Sequence, residues 1–343
     1  MRRTAVVLVA CAVAGAAQAW PTWLGGRVEP PAVTVAAVGD IMLDRKVART
    51  LERRGPAGMV VRICDLLSGA DLATGNLECP LAEKSSRLEK PIAFRGSPRA
   101  VKTLVESGLT VVTLANNHAL DCGREGLRET MGVLAGSGLR WVGAGEDRRG
   151  AEKPVVMTVR GRRVAFVGFC EFPEGERKWD HTPTIALADE PTVRRVIAEA
   201  RGQADSVVAS FHWGEEYDDR PNRLQRRLAA AAVDAGADLV IGCHPHVLQG
   251  FEIVKKGSRQ ALVAYSLGNF LFDQKGVRTR ESVVLRVTLG SGGVTAANLE
   301  PVTVDGARPR PATPEEAKES LDRLAKLSRE FHTKLAGTAF VLP

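Results

Sequence analysis

Short apolar runs rich in β-branched residues recur along the chain and alternate with amphipathic stretches. Residues 33–38, 109–115, 207–211 and 238–241 form such runs, and their length and composition predict buried strands. Residues 47–54, 99–106, 124–135, 192–201 and 224–235 carry helical spacing of apolar positions instead. Strand and helix in alternation predict an α/β body with a largely parallel component. Three segments break that rhythm. Residues 155–159 and 164–169 flank Arg160-Gly161-Arg162-Arg163, residues 251–254 and 261–265 flank Lys256-Gly257, and residues 283–289 and 294–304 are joined by 290–293. Each reads as a hairpin, so mixed sheets are expected. A last helix is expected from Pro314 to about Phe331, because Thr313 and Glu316 form a capping box and Pro314 occupies the first helical position. No internal repeat or low-complexity linker is visible.

The amino terminus follows a different pattern. Arg2 and Arg3 precede an apolar run from Ala5, and Ala17-Gln18-Ala19 offers a small-x-small cleavage site, so residues 1–19 are expected to be a signal peptide removed before Trp20. Two alternatives stay open: the uncharged stretch 4–26 retained as an anchor, and lipidation at Cys11 within Leu8-Val9-Ala10-Cys11, whose apolar run is short. Either way the protein is expected outside the cytoplasm, in the periplasm or on the outer face of the membrane. Residues 33–305 are expected to form one domain, with 306–343 a helix and tail packed on it. The net charge of +7 is spread over 160–163, 194–195 and 223–227, which read as a turn and solvated helix faces. No basic stripe interleaved with aromatics argues for nucleic acid; attraction to an anionic polymer stays open. Of the six cysteines, Cys64, Cys79, Cys122, Cys170 and Cys243 lie beyond the cleavage site. They lack zinc-ribbon spacing and read as small buried side chains, with a disulfide or soft ligand near a site as the alternative.

Candidate chemistry is concentrated in six polar clusters, most of them directly after an apolar run. They are Gly39-Asp40-Ile41-Met42-Leu43-Asp44-Arg45, Gly75-Asn76-Leu77-Glu78, Asn116-Asn117-His118 with Asp121, His212-Trp213-Gly214-Glu215-Glu216-Tyr217, Gly242-Cys243-His244-Pro245-His246, and Ser266-Leu267-Gly268-Asn269-Phe270. Loops leaving the carboxyl ends of parallel strands gather along one edge of the sheet, where ligands bind. Four of the six histidines fall in these clusters, leaving His181 and His332 as expected surface residues. Pro245 is expected to hold His244 extended, so that His244 and His246 point the same way toward one ion or two. Each residue also has a plain structural reading: Asp40 a helix N-cap, Glu78 a turn residue before Pro80, Asn117 a turn stabiliser, His212 a core histidine packed by Trp213, and Glu215-Glu216 a solvated turn. Taken together they point to a metal site.

In this order, across residues 33–290, the six motifs resemble the CapA family of poly-γ-glutamate capsule synthesis proteins. That family is similar to calcineurin-like metallophosphoesterases. The resemblance implies an α/β fold, a metallophosphoesterase-like four-layer α/β/β/α sandwich with mixed sheets, and a site for two metal ions. It further implies Asp40, Asn117, His212, His244 and His246 as ligands and His118 as the neighbouring catalytic histidine. Met42 stands where that pattern has a ligating histidine and Asn76 where it has a bridging aspartate; Glu78 is then the substitute carboxylate.

Imidazole, carboxylate and carboxamide donors suit manganese or zinc, with iron a third choice. Such a site would hydrolyse or transfer a phosphoryl or acyl group, with His118 as proton donor and Arg45 holding an anionic substrate, the alternative for Arg45 being a structural ion pair. Trp213, Glu215, Tyr217 and Asn269 are expected to line the substrate pocket, with core packing the alternative for Trp213 and Tyr217. The expected partners are an anionic envelope polymer or its phosphorylated precursor and a membrane synthase or export protein. A non-catalytic polymer-binding or export factor that keeps the fold is the second hypothesis.

Overall fold

The computed structural model describes residues 29–172 and 183–342, so the expected signal peptide, Cys11 and His181 lie outside the described residues. Strand β1 (Val33–Ile41) leads into helix α1 (Arg45–Val60), which Asp44 caps by accepting from the Arg45 amide. The helical pattern fades at residue 54 because Gly55 takes a φ of 70° and Pro56 lacks a donor; α1 resumes beyond that break. There follow α2 (Cys64–Ser68), β2 (Leu72–Leu77), α3 (Val101–Glu106), β3 (Val111–Thr113), α4 (Gly123–Ser137), β4 (Arg140–Val142), β5 (Ala144–Gly145) and α5 (Arg148–Ala151). The hairpin β6 (Val155–Val159) and β7 (Arg162–Cys170) precedes β8 (Thr184–Ile185), α6 (Glu190–Gln203), β9 (Ser206–His212), α7 (Arg223–Ala235) and β10 (Leu239–Cys243). The hairpin β11 (Phe251–Lys256) and β12 (Arg259–Ala264) leads to β13 (Asn269–Leu271) and α8 (Val277–Arg280). The long hairpin β14 (Glu281–Gly290) and β15 (Gly293–Asp305), β16 (Arg308–Pro311), α9 (Pro314–Ser328), β17 (Leu335–Ala336) and β18 (Ala339–Phe340) complete the chain.

Hydrogen bonding orders the strands β4-β3-β2-β1-β14-β15-β12-β10-β9-β7-β6. The path bends at β15, which meets β12 through the single pair Gly293 and Gln260, and this divides it into two facing halves. Side-chain direction along each strand explains the layers. In β1, Val33, Val35 and Ala37 enter the middle core with Phe166, Val208, Ile241 and Leu262 of the other half. Ala36 and Val38 face outward onto Val47, Met59, Leu104, Leu127 and Leu134 of α1, α3 and α4. In β9, Val208 faces the middle while Val207, Ala209 and Phe211 meet Val193, Ile197 and Leu228 of α6 and α7. Strands buried on both faces read as unbroken apolar runs, which makes them visible in the sequence. The architecture is the expected four-layer α/β/β/α sandwich with mixed sheets.

The three expected hairpins pair antiparallel, and the Thr313–Glu316 capping box is present. Other elements differ. Strand β3 covers only three residues, since the Asn116 amide turns back to the Leu114 carbonyl and starts a loop. Strand β2 gives no strand signal in the sequence because Thr74, Gly75 and Asn76 interrupt its apolar run, yet it is buried throughout. Arg162, expected on a solvated turn, is buried, and its guanidinium donates to the carbonyls of Pro30 and Pro31 at 2.8 and 3.1 Å. The helix at the carboxyl end stops at Ser328 and passes into a 3-10 turn, Arg329–Phe331.

Buried Asp238 ties the second half together: it pairs with Arg201 and Arg259 and accepts from the Val207 amide at 2.8 Å. Asp238→Ala leaves two partly covered guanidinium groups and a buried amide without their acceptor. It should cost roughly 2 to 3 kcal/mol, measured by urea unfolding; a loss below about 0.5 kcal/mol would refute this role.

Candidate metal centre

The carboxyl ends of β1, β2, β3, β9 and β10 deliver the polar clusters to one place. Asp40 on β1 lies opposite Asn76 on β2 and Asn269 on β13, and His212 at the end of β9 lies opposite Cys243 on β10. Two glycines permit this convergence. A Cβ on Gly39 would sit 1.8 Å from the Gly268 carbonyl oxygen, and one on Gly242 would sit 1.9 Å from the Tyr265 carbonyl oxygen.

Glu78 lies at the centre. It is fully buried, and neither carboxylate oxygen has a hydrogen-bond partner among the described residues. Its Oε1 is 3.9 Å from Nε2 of His118, of His212 and of His246. Two overlapping donor groups share it, Glu78 with His212 and His244, and Glu78 with Asp40 and His246, the donor atoms in each lying within 4.8 Å of one another. Ligands about 2 Å from a common ion stand roughly 3 to 4 Å apart, so these separations suit donors that close on a cation. Glu78 is therefore common to both candidate groups.

Around it the donors are held in place. Asn76 Nδ2 donates to Asp40 Oδ1 at 2.7 Å, and its own Oδ1 accepts from Asn116 at 3.0 Å. The His244 amide donates to Asp40 Oδ2 at 3.2 Å, while His244 Nδ1 has no partner among the described residues. His212 Nε2 lies 2.9 Å from Asn117 Oδ1. Asn269 gives its Nδ2 to the carbonyls of His246 and Thr279, which leaves Oδ1 to accept from His246 Nδ1 at 2.9 Å and turns Nε2 toward Glu78. His118 Nδ1 is 2.7 Å from Asp121 Oδ2, Phe94 packs on its ring at 4.2 Å, and Lys90 pairs with Asp121 from outside.

Electrostatics favour a cation. Burial pushes Glu78 well above the usual carboxylate range, and the Asp40 charge adds to the shift. Burial would raise Asp40 too, but the His246 and His212 imidazoles and the Asn76 amide outweigh it and hold Asp40 well below that range. Burial forces His212 far below its ordinary value, with His244 adding to the effect, and it forces His244 down to about 3, with His246 adding. Neutral imidazoles and an unpartnered carboxylate fit a divalent cation.

Of the expected residues, Asp40, Glu78, Asn117, His118, His212, His244 and His246 come together here. His244 and His246 are not extended: their φ angles are 98° and 59°, so a turn of unfavourable backbone, rather than strand geometry, aims the rings. Asp40 is a strand residue and the N-cap is Asp44. Asn269 positions His246. Trp213 is fully buried, stacks on Phe211 at 4.4 Å and donates to the Tyr265 carbonyl, so it supports the site from the outer core. Glu215 is exposed, and the charge of its neighbour Glu216 bears on Glu78. Tyr217 stands at the rim, half exposed, its ring 6.2 Å from His246. Arg45 pairs with Asp273 and lies over Phe94, 4.8 Å from the ring centre. The sequence places Asn116 and Asp121 in a polar cluster without giving them a role, and it gives no sign of Lys90, which the fold brings to Asp121. Met42 is core, its sulfur accepting from the Asp44 amide. The cysteines of the described residues are free, and all but Cys64 are buried.

A four-layer sandwich with an imidazole and carboxylate cluster at converging strand ends defines an α/β protein with a candidate metal site. The family model for the bacterial capsule synthesis protein PGA_cap matches residues 34–274, and the chain belongs to that family. It is 36% identical over 290 residues to a capsule biosynthesis protein CapA of Bacillus anthracis, covering 82% of this chain and 70% of the relative. It is 34% identical over 306 residues to a PGA biosynthesis protein CapA of Bacillus subtilis, covering 86% and 80%. A hypothetical protein from Thermus thermophilus superposes with a TM-score of 0.48 at 17% identity, covering 78% of this chain and 98% of that one.

The shifted groups act on stability in opposite directions. His212 and His244 stay neutral in the fold, so the unfolded chain takes up protons there first, and metal-free protein loses stability as pH falls from about 6.5 toward 3. Glu78 holds its proton in the fold above the pH at which the unfolded chain releases it, so it removes stability as pH rises above about 4.5. Glu78→Gln should therefore raise the Tm of metal-free protein at pH 8 while abolishing the rise that added manganese or zinc produces in the unaltered protein. A lower metal-free Tm, or a retained response to metal, would contradict this assignment.

Proposed function

We propose that the protein acts in the synthesis or export of an anionic envelope polymer of the poly-γ-glutamate type, using a divalent-metal site of hydrolase or transferase character. The observation that carries the metal reading is Glu78, a buried carboxylate with no donor, shared by two imidazole-bearing donor groups. The polymer reading rests on family membership and on the names its relatives carry, which also support an envelope location and an exported chain.

Asp40, Glu78, Asn117, His212, His244 and His246 would hold one or two ions, manganese or zinc by preference and iron as a third choice. A bound ion would supply Lewis-acid polarisation of a phosphoryl or carbonyl oxygen. The protein side of the chemistry falls to His118 and Arg45. Asp121 accepts from His118 Nδ1 and leaves Nε2 facing the donors, where it can hold a proton and give it to the leaving group. Arg45, at the mouth above Phe94, can exchange Asp273 for an anionic group of the substrate, and Tyr217 stands at the rim 6.2 Å from the His246 ring. The second reading, a factor that holds polymer without cleaving it, draws on Met42, which adds no ligand from the core, and on Asn76, whose amide is engaged by Asp40.

Elemental mass spectrometry on the purified protein is the first test. Near two equivalents of manganese, zinc or iron are expected, lost in the His244→Ala, His246→Ala variant; one equivalent or none, unchanged in the variant, would sink the metal-site reading. His118→Ala should keep the metal and lower hydrolysis of phosphoesters or γ-glutamyl amides about a hundredfold or more. If the unaltered, metal-loaded protein cleaves neither and His118→Ala leaves polymer binding intact, the holding reading replaces the catalytic one.

A further inference from the structure

A cleft of about 490 Å³ lies on the flank of the sandwich, within the size range of ligand sites, and shares no residue with the metal centre. It forms where the two end strands of the bent sheet, β4 and β6, come together beneath α4. Met131 and Ala135 of α4, Trp141 of β4 and Pro154 with Val155 at the start of β6 make an apolar floor. Arg128, Arg140 and Lys153 stand around it. The one acid of the lining, Glu146, is taken up by Arg128 at 3.0 Å. Arg140 and Lys153 are exposed and have no carboxylate within ion-pair reach among the described residues.

A floor of methylene and indole surface with two open cations at its edge selects a particular chemistry. A compact inorganic anion would leave the floor wet, and an uncharged aliphatic ligand would leave the cations unused. A flexible chain with a carboxylate on every unit and methylene groups between the charges satisfies both. We propose that this cleft is a second binding site, for an extended stretch of a γ-linked polyglutamate chain. The proposal rests on the polymer reading of the preceding section and adds a place where polymer is held away from the metal donors. Helix α4 links the two places: it begins directly after the His118 and Asp121 loop, and Arg128 lies about 8 Å further along its axis at 1.5 Å per residue from Gly123. A chain seated in the cleft would therefore be tethered close to the site, raising its local concentration there without a new contact at the donors.

Fluorescence anisotropy with a short labelled poly-γ-glutamate tests this on the whole exported chain. The Arg140→Glu, Lys153→Glu variant should bind at least about tenfold more weakly. In the His244→Ala, His246→Ala background the Arg140→Glu, Lys153→Glu change should weaken binding by a similar further factor, since the cleft holds polymer independently of the metal donors. An Arg99→Glu, Lys102→Glu variant carries the same change in net charge on exposed positions near α3 and should bind normally. Equal weakening by the two charge-reversed variants would mean diffuse attraction and overturn the proposal. Binding lost only with the histidines would overturn it while leaving the polymer reading in place. No binding by any of these proteins would overturn it as well, and the metal content then decides the metal-site reading separately.

Discussion

A carboxylate buried without a donor is among the least tolerable features a fold can carry, and Glu78 is one. Ionised and unpaired it would cost several kcal/mol; protonated it gives up its charge, and only a cation lets it keep the charge under cover. The surrounding donors are arranged as if for that purpose. Asn269 and Asp121 turn His246 and His118 so that their Nε2 atoms face Glu78, and burial keeps His212 and His244 neutral. Remove Glu78 and these restraints have no common object.

The layers exist to bring those donors together. Parallel strands end at one edge, and the bend at β15 sets the carboxyl ends of β9 and β10 against those of β1, β2 and β3. Neither half alone holds a complete donor set: Asp40, Glu78 and Asn117 come from the first, His212, His244 and His246 from the second. Stability of the interface between halves, built on Val35, Phe166, Val208 and Leu262, is thus a condition for the site as much as for the fold. The close approaches at Gly39 and Gly242 show how little slack the junction has.

Position along the fold also separates functions that share one charge type. Most arginines on the helix faces are engaged, as Arg195 is with Glu152 and Glu199, and Arg226 with Glu330. Arg45 is held by Asp273 at the mouth of the metal centre, whereas Arg140 and Lys153 flank an apolar cleft with their charges open. Basic composition alone could not distinguish these three situations.

The main strands, the three hairpins and the capped carboxyl-terminal helix were legible in the sequence, as was the grouping of Asp40, Glu78, His212, His244 and His246 in polar motifs at strand ends, because burial on both faces and strand-end polar motifs are local signals. Strand β2 was not, since its value lies in its neighbours β1 and β3 and not in its own apolar content. The left-handed backbone at His244 and His246 and the buried role of Arg162 were equally hidden, as each depends on what the other half of the sandwich places against it. Residue type and spacing determined which side chains could bind a metal. Only the tertiary structure decided that Glu78 would meet no hydrogen-bond donor among the described residues, because that depends on which side chains the two halves of the sandwich bring around it.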